Sequence, residues 1–144
     1  MCEALAVSER RACRVLGQVR RTQRYATGSP FPAITREDGT RWRPAQGNNA
    51  YVFPGIGLGI LACEAKTVSD GMFLAAAQAL AQEVSDEDLA EGAVYPPLPR
   101  IRDVSLAIAV DVAEEAYATG LAQAPRPPGA LVDHVAGMMY NPTY

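Results

Sequence analysis

Among its 144 residues the chain has a single histidine, His134, and a single lysine, Lys66. That leaves few groups for acid–base chemistry near neutral pH and is a first sign that the chain is not a complete enzyme. The three cysteines, Cys2, Cys13 and Cys63, are an odd and scattered set. They form neither a disulfide framework nor a metal-ligand spacing. No run of about 18 uncharged apolar residues occurs, so no membrane-spanning helix is expected. The start, Met1 to Arg11, lacks the charged-then-apolar layout of a secretory signal, and the expected location is cytoplasmic. Hydrophobic residues make up 49% of the chain, enough to pack a core and too many for a wholly disordered chain. The length fits one ordinary domain or part of a larger one.

Charge divides the chain unevenly. Residues 1–25 hold six arginines against Glu3 and Glu9, a local charge of +4, and the remainder holds seven basic and fourteen acidic residues, −7. A basic head on an acidic body suggests two pieces of different role. In the head, Ser8 suits an N-cap and Glu9 the first helical turn. Ala12, Val15 and Leu16 make a short apolar stripe. Gly17 breaks it, and Val19 to Tyr25 offers a second helical turn with Arg20, Arg21 and Arg24 outward. The outline fits either a helix-turn-helix or a solvated basic stub.

The body begins with strand and turn signals. Tyr25 to Thr27 reads as a strand end, and Gly28-Ser29-Pro30 as a turn. Phe31 to Thr35 and Thr40 to Arg43 are placed to pair across Glu37-Asp38-Gly39. From Tyr51 the pattern becomes helical. Pro54 suits a first turn, and Ile56, Leu58, Ile60 and Leu61 fill a nearly wholly apolar helix that must be buried on most sides. Ser69 caps a helix from Asp70 to Gln82 with Met72, Phe73, Ala76 and Leu80 along one face. Ser85 to Asp88 opens a short helix ending at Gly92. Tyr95 to Pro99 reads as a rigid linker. Ile101, Val104, Ile108 and Val112 mark a long helix to about Thr119, stopped by Gly120. Ala124 to Gly129 is Pro-rich, and His134 to Tyr144 reads as loosely held.

Each motif has a plain and a chemical reading. Gly55-x-Gly57-x-Gly59 lacks dinucleotide-loop spacing and better suits close helix packing. The acids of Ser85 to Asp88 suit a helix start better than a cation site. Asp111, Glu114 and Glu115 suit a wet helix face, and His134 and Lys66 suit the surface. Gln46-Gly47-Asn48-Asn49 is either a polar turn or a set of carboxamides offering donors and acceptors to a ligand.

Longer blocks add a resemblance. Ala26-Thr27-Gly28-Ser29-Pro30-Phe31, then Gln46-Gly47-Asn48-Asn49-Ala50-Tyr51-Val52-Phe53-Pro54-Gly55, resemble the C-terminal part of malic enzymes. So do Ser69 to Ala77, Tyr95-Pro96-Pro97-Leu98, Ile101 to Ser105, and the closing Met139 to Tyr144. Several blocks in the right order over residues 25–144 make the match specific. The leader differs: Val7 to Gln18, with Thr22 to Tyr25, is similar to a segment ahead of the catalytic core in insertion-sequence transposases. The simplest account is a hybrid reading frame joined near Tyr25.

The resemblance implies a mostly α chain: the C-terminal helical part of a Rossmann-like α/β NAD(P)-binding domain. One or two short strands are expected near residues 24–43, and a helix-turn-helix-like stub over 1–24. It implies NAD or NADP as cofactor, and malate and pyruvate as substrate and product of an oxidative decarboxylation. The family uses Mg or Mn, a lysine–tyrosine pair and a glycine-rich pyrophosphate loop. All three lie upstream of the part resembled, so no catalytic or metal-binding residue is assigned. By resemblance Asn48 contacts substrate, and Asn49 with Gly47 lies at the nicotinamide. Ala45 stands where the family usually has glycine. The chain alone is expected not to turn over malate. Loss of a central sheet would leave the Gly55–Cys63 helix with an exposed apolar face, which favours a homo-oligomer or docking on an intact malic enzyme. DNA binding by the head is expected to be weak and salt-sensitive. An inert remnant is the remaining alternative.

Overall fold

The computed structural model describes residues 26–27 and 32–141. The helix-turn-helix-like stub and the transposase-like leader expected over 1–24 lie outside the described residues, as does the turn at Gly28-Ser29-Pro30. The described chain is mostly helical. In order it runs β1 (Ala26–Thr27), β2 (Ile34–Thr35), β3 (Arg41–Trp42), β4 (Ala45–Gln46), a 3-10 turn (Asn49–Tyr51), α1 (Phe53–Cys63), α2 (Asp70–Gln82) and α3 (Asp86–Ala90). A second 3-10 turn (Leu98–Arg100), α4 (Ile101–Ala118) and α5 (Leu131–Met138) complete it. These elements form two compact units. One holds the chain up to Asn48 with Asp86–Tyr95; the other holds Asn49–Ser85 and Pro96 onward.

The first unit carries all four strands. β2 and β3 pair antiparallel, Ile34 opposite Trp42 and Thr35 opposite Arg41. The reversal is closed by the Asp38 carboxylate, which accepts from the Thr40 amide at 2.9 Å and its hydroxyl at 2.6 Å. Gly39, at φ +80°, supplies the left-handed step such a turn needs. The hairpin therefore forms where the sequence places it. β1 and β4 pair in parallel, Ala26 with Ala45 and Thr27 with Gln46. Three short strands, β1 to β3, thus lie within residues 24–43, where one or two were expected, and β4 follows just beyond. α3 follows Ser85 as expected, with Asp86, Glu87 and Asp88 in its first turn, and the chain turns at Gly92, φ +80°.

The second unit is a helical core built around α4. Val104, Ile108 and Val112 of that helix are fully buried, at spacings of four that keep them on one stripe. α1 lies against this stripe through its glycines. A Cβ on Gly55 would fall 2.7 Å from Ile108 Cβ, and one on Gly59 would fall 2.7 Å from the Ala109 carbonyl. The close approach requires residues without side chains, which is the packing reading of these glycines. Pro54 sits in the first turn of α1. Glu64 ends the helix in the left-handed conformation, φ 49°. α2 starts at Ser69, whose hydroxyl accepts from the Met72 amide at 3.3 Å, and buries Met72, Ala76 and Leu80.

Three expectations need correction. Phe73, assigned to the buried face of α2, is 48% exposed, because the stripe runs through Met72, Ala76, Ala79 and Leu80 and leaves Phe73 one position round the helix. α1 is not buried on most sides: Phe53 is 59% and Leu61 67% exposed, and its buried positions are largely Gly55, Gly59, Ala62 and Cys63. The segment from His134 is not loose at its start. It belongs to α5, whose Leu131 and Val135 are buried one turn apart. Arg102 further donates to the Tyr140 carbonyl at 2.8 Å.

Candidate functional site

The polar segment Gln46 to Asn49 follows directly from strand into helix. Gln46 closes β4 beside Thr27. Gly47 is half-buried, and Asn48 and Asn49 are both exposed. Asn48 is the last residue of the first unit and Asn49 the first of the second. Asn49 opens the 3-10 turn, and its carbonyl accepts from the Val52 amide at 3.0 Å. The third residue of that turn, Tyr51, is buried and donates its hydroxyl to the Pro96 carbonyl at 2.7 Å. A buried tyrosine satisfied in this way fixes the turn that Asn49 begins.

Upstream, the segment leading to Asn48 is fixed by charge. Arg43 stands between β3 and β4. Its backbone amide donates to the Glu91 carbonyl at 2.9 Å, and its Nε to the Glu91 carboxylate at 3.0 Å. Its Nη2 donates to the buried Asp88 carboxylate. Burial alone would lower the guanidinium's hold on its proton; the hydrogen bonds to Glu91 and Asp88 outweigh that and leave it above its usual value. The neighbouring Trp42 lies against Gly92, where a Cβ would stand 2.6 Å from the indole Cδ1, and carries Arg36 over its face at 5.6 Å.

The remaining candidates stand apart from this segment. An open groove of about 280 Å³ between α2 and α4 is lined by Gln78, Gln82, Asp111, Glu114 and Glu115. Burial and the neighbouring Glu114 raise the Asp111 carboxyl above the usual range. Glu114 is held below it by a two-pronged bond from Arg126, at 2.7 and 2.5 Å. Among the described residues no group of three or more His, Cys, Asp or Glu is arranged to hold a metal ion. The residues described here therefore do not fit the divalent metal that the resemblance implied for the whole family. His134 and Lys66 are exposed. No helix among the described residues is long and apolar enough to cross a membrane.

Comparison with known proteins decides the family. The family described as "Malic enzyme, NAD binding domain" matches residues 6–117. The chain belongs to the malic enzyme NAD-binding domain family. Its match begins ahead of Tyr25, the boundary at which the sequence resemblance was drawn. Relatives agree. The NADP-dependent malic enzyme of Rattus norvegicus is 45% identical over 120 residues, 83% of this chain and 21% of that protein. The mitochondrial NADP-dependent malic enzyme of Homo sapiens is 47% identical over 120 residues, 83% of this chain and 20% of that protein. The NADP-dependent malic enzyme of Populus trichocarpa is 50% identical over 121 residues, 83% and 20%. The chain thus spans about a fifth of the length of these curated relatives.

For this malic enzyme segment, sequence reasoning named Gly47, Asn48 and Asn49 as candidates and did not anticipate the cluster of Arg43, Asp88 and Glu91 or the bond from Tyr51 to Pro96. Arg43 and Asp88 are 45 residues apart, so neither is marked by local spacing. Asp88 carried one signal. It is the third acid of a helix start, farther in than a cap, and an acid there on a buried face needs a cation.

Proposed function

We propose that this chain supplies the substrate and nicotinamide side of a malic enzyme site. In that reading the Asn48 amide donates to a carboxylate oxygen of malate or pyruvate. The Asn49 carboxamide, with one donor group and one acceptor, pairs with the carboxamide of the nicotinamide ring. Gly47, lacking a side chain, lets the ring approach the backbone. The cofactor is NADP or NAD; when bound it accepts the hydride from malate C2. The observation that carries the reading is the exposure of two consecutive asparagines at the junction of strand and helix, in a chain of this family.

The residues present bind and orient; they do not complete the reaction. The only lysine is exposed, and the carboxylates described here are not grouped as metal ligands. We therefore read the chain as inactive alone towards oxidative decarboxylation, acting in the cytoplasm as a homo-oligomer or docked on an intact malic enzyme. The exposed Phe53 and Leu61 of α1 support such association. We read residues 1–24 as the transposase-like leader of a hybrid frame on the likeness of Val7 to Gln18 and Thr22 to Tyr25; the family match from residue 6 onward counts against that reading.

Titration calorimetry of the purified chain with NADP, NAD and malate, with Mn present, tests the binding reading. Asn48→Ala is expected to weaken malate, and Asn49→Ala the dinucleotide, each by about ten- to a hundredfold, as for a lost hydrogen bond to a charged or buried group. Absence of binding would mark the chain as an inert remnant, and affinities unchanged in both variants would remove Asn48 and Asn49 from the site.

A further inference from the structure

We propose that Arg43 is a positioning residue for the Asn48 amide, with Asp88 as its buried counter-charge. This deepens the proposed function and rests on Asn48 being a substrate contact.

The segment that delivers Asn48 has little to hold it by regular structure. The β1–β4 ladder is two residues long on each side, and Gly47 adds backbone freedom directly before Asn48. A two-residue ladder does not fix an amide to the tolerance that ligand recognition needs. Strong restraints lie five residues earlier, at Arg43. Three separate donors of that residue engage Glu91 and Asp88: the backbone amide at 2.9 Å, Nε at 3.0 Å, and Nη2 on the Asp88 carboxylate. Asp88 is in turn anchored by the backbone, since its carbonyl accepts from the Ala93 amide at 2.9 Å. Between Arg43 and Asn48 the chain has little slack. Pro44 fixes its own φ, Ala45 is buried, and Gln46 is paired with Thr27.

The chemistry of the pair suits this task. Arg43 presents donors in a rigid planar fork, so two carboxylates set both its place and its tilt. Asp88 is buried, so loss of Arg43 takes a cation from a buried carboxylate, and loss of Asp88 leaves the guanidinium with Glu91; either change removes a restraint on the segment. The single tryptophan, Trp42, adjoins Arg43 in sequence and lies against Gly92. Its fluorescence therefore reports this cluster directly.

The test compares the wild-type chain with Asp88→Asn, Arg43→Met, Arg43→Lys and Asn48→Ala. Malate binding is measured by calorimetry with NADP and Mn, together with Trp42 emission and helical circular dichroism. Asp88→Asn and Arg43→Met are expected to weaken malate at least tenfold and to shift Trp42 emission, with the helical signal retained. Arg43→Lys, which keeps the charge but not the fork, is expected to recover part of the affinity. Asn48→Ala is expected to lose malate without moving Trp42. Affinities within twofold of wild type in both Asp88→Asn and Arg43→Met would overturn the proposal. So would losses that only track the fraction of chain unfolded. If the wild type binds no malate, the proposed function fails on its own. Amide hydrogen exchange at Gln46, Gly47 and Asn48 then decides the positioning: at least tenfold faster exchange in Asp88→Asn supports it, and unchanged exchange overturns it.

Discussion

Gly57 and Gly59 sit two residues apart on α1, yet a methyl group at each meets opposite surroundings. At Gly57 nothing lies within 4 Å of an added Cβ. At Gly59 the Cβ would stand 2.7 Å from the Ala109 carbonyl oxygen and 3.0 Å from Val112, and the oxygen belongs to the backbone of a packed helix. Gly57→Ala is therefore expected to stabilise the chain by about 0.8–1 kcal/mol through helix propensity. Gly59→Ala is expected to destabilise it by about 1–3 kcal/mol through overpacking. Urea melts followed by circular dichroism measure both, and a shared sign would contradict the packing role of Gly59. Asp111 supplies a second residue-scale prediction. Its carboxyl is raised by burial and then by Glu114, so the folded chain holds this proton more tightly than the unfolded chain. Stability from that proton is complete below the ordinary aspartate range and is lost as pH rises through the raised folded value. Asp111→Asn should accordingly be the more stable protein at neutral pH, by up to about 0.5 kcal/mol, the scale of a change outside the core. The advantage should vanish near pH 3. A constant difference across that range would show that the charge of Asp111 has no part in it.

At the scale of elements, what was legible followed from local rules. The Asp38-Gly39 turn fixed the β2–β3 hairpin, Ser69 fixed the start of α2, and Val104, Ile108 and Val112 fixed the buried side of α4. Each depends on residues within a few positions of one another. The parallel pairing of β1 with β4 was not legible, because its partners are 19 residues apart and the strands are two residues long. α5 escaped notice because it is eight residues long and follows a proline-rich stretch, so its stripe reduces to Leu131 and Val135. The exposed side of α1 was misjudged because composition counts apolar residues without saying which face they take. Glycines occupy its packed face, and Phe53 and Leu61 are left outside. The candidate site divides along the same line. Gly47, Asn48 and Asn49 are contiguous and could be named as a block. Arg43 and Asp88 are joined only by the fold.

At the scale of the whole chain, the two units differ in what holds them. Among the described residues, the unit ending at Asn48 and including α3 shows two short ladders and a buried ion pair, whereas the large fully buried side chains Tyr51, Met72, Val104, Ile108, Val112 and Val135 all belong to the other unit. Burial of apolar area is the main favourable term in folding, and ion pairs do not replace it at ordinary temperature. The described part of the first unit, around Trp42 and Arg43, should therefore open at lower free energy than the helical core, as local units commonly do. The chain carries its own probes for this. Trp42, the single tryptophan, lies in the first unit, whereas α1, α2, α4 and α5 of the second dominate the helical signal. In a urea titration the Trp42 transition is expected at lower denaturant than the loss of helix, and Asp88→Asn should widen the gap by moving only the Trp42 curve. Coincident curves would mean that the units unfold as one. Asn48 would then draw its placement from the helical core as well as from Arg43. Separate curves would make the ion pair the weak point on which a binding-competent Asn48 depends, and binding would fail before the helices melt.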